Sequence, residues 1–104
     1  MNLCWYVYIL RCADDSLYTG ITTDLQRRLQ EHNGKLSGDG AKYTRGRRPV
    51  EPVYIEQVDS RAEASRREST IKGLSRKQKL QLVRKYQVNS KKAGAGIIDH
   101  VNIK

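Results

Sequence analysis

The sequence has no Phe, only two Cys and two Pro, and 11 acidic residues against 20 Lys and Arg. Without Phe, six Tyr supply most of the aromatic content. Tyr packs like Phe but carries a hydroxyl, so aromatic clusters in this chain bring polar tips with them. Cys4 and Cys12 do not form a CxxC pair, and His32 and His100 stand at no metal-ligand spacing from them. That argues against a zinc site or a disulfide framework and leaves reduced, structural thiols. No stretch is apolar enough to span a bilayer, and no apolar segment precedes a small-residue cleavage site. A membrane protein is therefore not expected, and the expected compartment is the cytoplasm.

The shortage of acids leaves a net charge of +9. Such a field attracts polyanions, nucleic acid before anionic membrane. At 104 residues the chain suits one domain with a modest core. A hydrophobic share of 38% places it outside the disordered class.

Residues Cys4 to Arg11 (CWYVYILR) are aromatic, β-branched and aliphatic, the pattern of a strand. Trp5, Val7 and Ile9 share one face; Tyr6, Tyr8 and Leu10 share the other. Ala13 to Ser16 is a turn cluster, and Leu17 to Ile21 is a second strand completing a hairpin. Gly20 within that strand implies a bulge or a close approach by another group. Thr23-x-x-Gln26 reads as a capping box opening a helix from about Asp24 to Glu31 or His32, closed by Asn33-Gly34. Residues 35–48 read as a loop, and Val53 to Val58 as a third strand after Pro49 and Pro52. Ser60-x-x-Glu63 opens a helix to about Lys72, with Gly73 as its C′ residue. Ser75-x-x-Gln78 opens another to about Tyr86. The order ββαβαα predicts an α+β fold with a small, three-stranded, mainly antiparallel sheet flanked by helices. Residues 3–86 are the expected domain, and residues 87–104 an expected flexible tail.

Three features bear on chemistry. In the first helix, Leu25 and Leu29 define the buried stripe, and Arg28 and His32, four apart, lie beside it. An inward charge needs a partner or a ligand, although Arg28 can also run its stem along the core and His32 can simply end the helix. In the second helix, Glu68 shares the apolar stripe with Ala64 and Ile71, in a region from Ser60 to Lys92 holding eleven bases and two acids. A lone carboxylate there suits a hard cation such as Mg²⁺, or a buried salt bridge to Arg28 or another base. In the hairpin, Tyr8 and Tyr18 share a face if the turn has odd length, which is the expected register.

Tyr6-Val7-Tyr8, Tyr18-Thr19-Gly20, Arg28, His32 and the helical Glu68 together resemble the GIY-YIG nuclease family. Tyr6-Val7-Tyr8 stands where the family has G-I-Y, and Tyr18-Thr19-Gly20 where it has Y-I-G. The runs GAKYTRGRRPV and ESTIKGLSRKQK are similar to those of its small, standalone, mostly uncharacterised members. The resemblance implies a phosphodiester-hydrolysing endonuclease with one divalent metal, Mg²⁺ or Mn²⁺, held by Glu68. It implies Arg28 on the phosphoryl oxygens, Tyr8 taking a proton from the attacking water with help from His32, and Tyr18 positioning water or phosphate. Lys42, Tyr43, Arg45, Arg47 and Arg48 in the loop, and Arg76, Lys77 and Lys79 further on, are expected nucleic-acid contacts. DNA is favoured over RNA, with a role in repair or recombination and a larger repair complex as a further partner. The alternative is a catalytically inactive nucleic-acid-binding module on the same fold.

Overall fold

The computed structural model describes residues 4–34 and 42–93. Seven elements follow in order: β1 (Trp5–Arg11), β2 (Leu17–Thr22), α1 (Leu25–His32), α2 (Lys42–Arg45), β3 (Glu51–Val58), α3 (Arg61–Lys72) and α4 (Arg76–Ala93). The strands form one antiparallel sheet ordered β2-β1-β3. This is the expected α+β architecture, with one short helix added.

The central strand β1 has no polar residue before Arg11, because both its faces are covered. Val7 and Ile9 pack with Val53, Val58, Ala64, Ile71 and Val83, so α3 and α4 close that face. Tyr8 and Leu10 pack with Cys12, Leu25, Leu29 and Val50, so α1 closes the other. The strands β2 and β3 are the edges, and Pro52 is tolerated because it lies on an edge strand. The β1–β3 register shifts after Ile9, which pairs with Tyr54 while Leu10 pairs with Pro52. Val53 is the extra residue of that bulge.

The hairpin turn spans the five residues 12–16. Odd length preserves parity: Leu10 lies opposite Tyr18 and Tyr8 opposite Gly20, so both tyrosines share a face. The turn is built by backbone bonds from Cys12 N to Ser16 O and from Asp15 N to Cys12 O, both 2.9 Å. Asp14 Oδ1 accepts from Ser16 N at 3.1 Å. Asp15 takes φ of 67°, a conformation its short polar side chain tolerates.

The helix boundaries differ in detail from the sequence reading. The cap of α1 is Asp24, whose Oδ1 accepts from Arg27 N at 3.1 Å. Thr23 does not cap it, because the helix begins at Leu25 and the cap position falls on Asp24. Ser60 caps α3 through Glu63 N at 3.2 Å. Ser75 and Gln78 bond reciprocally before α4, at 2.9 and 3.2 Å. Gly73 is the C-cap of α3 itself and keeps right-handed backbone, with φ of −79°. Two corrections are larger. Lys42–Arg45, read as loop, is a helical turn. The last helix runs to Ala93 rather than stopping near Tyr86, so residues 87–93 of the expected tail are helical. Residues 94–104 of that tail, and 35–41 of the expected loop, lie outside the described residues. Among the described residues no helix is long and apolar enough to cross a membrane.

Candidate active site

Four of the five candidate residues meet on the α1 side of the sheet. Tyr8 projects from β1 across Gly20, where the missing side chain leaves room for its phenol. Tyr18 projects beside it from β2, with ring centroids 6.5 Å apart. His32, at the last turn of α1, turns its edge to both, at 5.9 Å from Tyr8 and 5.2 Å from Tyr18. The α1 helix delivers it there because Leu25, Leu29 and His32 all fall on its buried side. Arg28, one turn earlier, is partly exposed, and its Nη1 donates to Glu31 Oε1 at 2.8 Å.

Hydrogen bonds join the interior of the site. The Tyr8 hydroxyl lies 2.9 Å from His32 Nε2. His32 Nδ1 lies 2.9 Å from Thr44 Oγ1 on α2. All three residues are buried. Arg48 Nε donates to the His32 carbonyl at 2.6 Å, closing the end of α1. Asn33 ties that end to the residue just before β3, donating to Val50 O at 3.1 Å and accepting from Val50 N at 2.7 Å.

The electrostatics follow from burial. Burial raises the Tyr8 pKa well above the ordinary phenol value, and neighbouring Tyr18 and the charge of Glu68 raise it further. A hydrogen-bonding interaction with Arg28 and the charge of that residue oppose the rise. Burial, then the charge of Arg28, lower the His32 pKa to about 4, so the imidazole is neutral at pH 7. Burial also works against the charge of Arg28, but its interactions with Glu31 and Tyr8 outweigh that, and it stays protonated.

Glu68 comes from the other side of the sheet. The α3 helix packs chiefly across β2 and β1, and Glu68 is close enough for its charge to act on Tyr8. Its side chain is 23% exposed, and Oε2 pairs with Lys72 Nζ at 3.2 Å. Glu68 thus pairs with a base, but Lys72 is exposed and one helical turn away, so this is a surface pair and not the buried salt bridge offered as an alternative. Among the described residues no group of three or more His, Cys, Asp or Glu is placed to hold a metal ion.

The expected nucleic-acid contacts divide. Tyr43 is exposed and stacks on Tyr18, with centroids 5.8 Å apart and planes at 28°. Arg47 covers the Tyr43 ring at 4.0 Å. It also donates to Asp14 Oδ2 at 3.1 Å and to Tyr43 O at 2.8 Å. Arg47 and Arg48 are thus engaged in holding the site's framework. Arg76 reaches back to the hairpin turn, donating to Asp15 O at 2.9 Å. Arg45 and Lys77 are exposed and Lys79 is half-buried. The side chain of Lys42 lies outside the described residues. Sequence reasoning missed Thr44, Glu31 and Asp14. A single hydroxyl or an ordinary helical acid has no periodic signature, and only the fold sets each against its partner.

Comparisons with known proteins point to one family. The model of the GIY-YIG catalytic domain matches residues 4–81. The chain is 55% identical over 82 residues to a UPF0213 protein of Haloquadratum walsbyi, covering 79% of this chain and 89% of that one. It is 56% identical over 78 residues to a UPF0213 protein of Clostridium perfringens, covering 75% and 81%. Among solved structures, the solution NMR structure of a UPF0213 protein from Bacillus halodurans matches with 52% identity and a TM-score of 0.50, over 78% and 83% of the two chains. That of a protein from E. faecalis matches with 42% identity and a TM-score of 0.56, over 85% and 93%. Its hairpin, helices and matched span together establish that the chain belongs to the GIY-YIG family, whose catalytic domain is of the nuclease type.

Proposed function

We propose that this protein is a divalent-metal-dependent endonuclease that hydrolyses phosphodiester bonds in nucleic acid, DNA more readily than RNA. The observation that carries the proposal is the meeting of Tyr8, Tyr18, His32 and Arg28 within the electrostatic reach of Glu68. The net charge of +9 supports the polyanionic substrate. The cytoplasm and a repair or recombination complex are the setting we infer for it.

Glu68 suits Mg²⁺ or Mn²⁺ better than zinc. It is a half-buried hard oxygen donor, and among the described residues its Oε1 has no hydrogen bond or ion pair and no group of three or more His, Cys, Asp or Glu gathers to hold a metal. Mg²⁺ is commonly held by one or two carboxylates, with water and substrate phosphate completing its shell. When bound, the ion supplies Lewis-acid polarisation and charge neutralisation at the phosphate.

The protein residues supply the rest. Arg28 offers a planar fork of donors to phosphoryl oxygens as their charge grows. Tyr8 cannot serve as a standing phenolate, because burial keeps its proton on. It serves instead as a relay, taking a proton from the attacking water as its own passes to His32 Nε2. The water oxygen bonds to phosphorus, and the leaving oxygen departs with the electron pair of its broken bond. The proton then returns from His32 through Tyr8 to that oxygen. Tyr18 orients water or phosphate with its hydroxyl.

The test is a cleavage panel of single-stranded, duplex and branched DNA and RNA, with Mg²⁺ or Mn²⁺ and with EDTA. Metal-dependent nicking is expected. Arg28→Ala and Glu68→Gln are each expected to lower it by about 10²–10³ while binding persists. Binding without cleavage on every substrate would replace the enzyme with a binding module.

A further inference from the structure

Thr44 lies in the run GAKYTRGRRPV but is not among the candidate site residues, yet it is fully buried against one of them. Its Oγ1 is 2.9 Å from His32 Nδ1, while Nε2 of the same ring is 2.9 Å from the Tyr8 hydroxyl. A neutral imidazole donates from one nitrogen and accepts at the other. Which does which follows from the donors around Tyr8. Tyr8 is a phenol with a proton to place. Tyr18 and Glu68 act on its oxygen through charge alone, whereas Arg28, the other group in a hydrogen-bonding interaction with it, has five donors and no acceptor. The Tyr8 proton therefore points to His32 Nε2. The ring hydrogen must then sit on Nδ1, where Thr44 Oγ1 receives it.

We propose that Thr44 is a positioning residue of the site, which accepts from His32 Nδ1–H and so fixes the one tautomer able to receive the Tyr8 proton. The hydrogen bond at one ring nitrogen decides the protonation of the other. Thr44 makes no contact with substrate in this role; it acts through His32. The α2 turn carries it there, and the same turn stacks Tyr43 on Tyr18. This short helix therefore sets the orientation of two site rings at once. The kinetic consequence rests on the nuclease reading given above, whereas the tautomer does not.

The two parts are separated by long-range ¹H–¹⁵N correlation of the His32 ring, recorded at neutral pH beside the cleavage assay. The wild-type protein and Thr44→Ser are expected to show the Nδ1–H tautomer. In Thr44→Val a buried Nδ1–H would lose its acceptor, so the ring is expected to move to Nε2–H. Cleavage by Thr44→Val is expected to fall about ten- to a hundredfold, with nucleic-acid affinity unchanged and the rate restored in Thr44→Ser. An Nε2–H tautomer in the wild-type protein overturns the proposal whether or not Thr44→Val folds. An unchanged tautomer in folded Thr44→Val overturns it too. An Nδ1–H tautomer in a protein that cleaves nothing supports the tautomer assignment and removes the nuclease reading instead.

Discussion

The Tyr8 hydroxyl occupies the space in which Gly20 would carry a side chain: a Cβ there would stand 2.5 Å from that oxygen and 2.7 Å from the ring carbon bearing it. Gly20 is opposite Tyr8 in the β1–β2 register, so no shift along the strand relieves the clash. Tyr8 cannot swing away without leaving His32. Gly20→Ala is therefore expected to cost about 1–3 kcal/mol in urea unfolding and to abolish cleavage. Stability within 0.5 kcal/mol or so of wild type would show that the phenol has slack.

Thr19, next to Gly20, offers a change in the opposite direction. Its Oγ1 is buried with no hydrogen-bond partner among the described residues. It lies opposite Ile9, on the face away from Tyr8. Thr19→Val keeps the shape and removes the unpaired hydroxyl. It is expected to raise stability by about 1 kcal/mol and leave cleavage unchanged. A loss of stability would mean that the hydroxyl finds a water or another partner.

Protonation of His32 couples stability to pH. Its pKa is lowered from 6.5 to about 4 in the folded protein, chiefly by burial. Between those values the unfolded chain binds more protons than the folded one, so stability falls as pH falls. The contribution is complete above pH 6.5 and is lost progressively towards pH 4, on the order of 2–3 kcal/mol. His32→Gln, neutral throughout, is expected to flatten this part of the profile in urea melts between pH 7.5 and 4.5. A slope unchanged by that substitution would have to come from other groups.

Arg45 and Arg47 are two residues apart in the same basic run, and their environments separate them. Arg45 is exposed, with no hydrogen bond or ion pair among the described residues. Arg47 is held by Asp14 and by the Tyr43 ring and carbonyl. Arg45→Ala is expected to reduce the salt dependence of duplex binding by about one phosphate contact. Arg47→Ala is expected to change the slope by less than half as much and to slow cleavage more than it weakens binding. Equal salt slopes for the two variants would contradict this division.

The readable parts of this molecule were those governed by local rules. The alternation in β1 assigned Tyr8 and Val7 to opposite faces, and the boxes at Ser60 and Ser75 placed two helix starts correctly. Hairpin parity was open only between turn lengths, and the five-residue turn decided it. Where two capping residues were adjacent, at Thr23 and Asp24, the pattern chose the wrong one, because a box match does not fix which of them directly precedes the first helical residue, Leu25. The α4 end was missed because apolar spacing fades after Tyr86, whereas the helix continues to Ala93 without it. The α2 turn was hidden by the glycines and arginines around it. Arg47 and Arg48 were counted with the surface charge because composition cannot show that Asp14 and the His32 carbonyl take them up. Arg28, His32, Tyr8 and Tyr18 were found as a set through the family pattern, but their hydrogen-bonded order depends on Thr44, twelve residues beyond His32.

The burial of Tyr8, His32 and Thr44 has a consequence for genetics. A substitution at any of them is felt first by the fold, and in a cell it will resemble loss of the protein as much as loss of its chemistry. Arg28 and Glu68 stand partly in solvent, with side chains 32% and 23% exposed. Separation-of-function alleles, abundant but inert, are to be sought at those two positions.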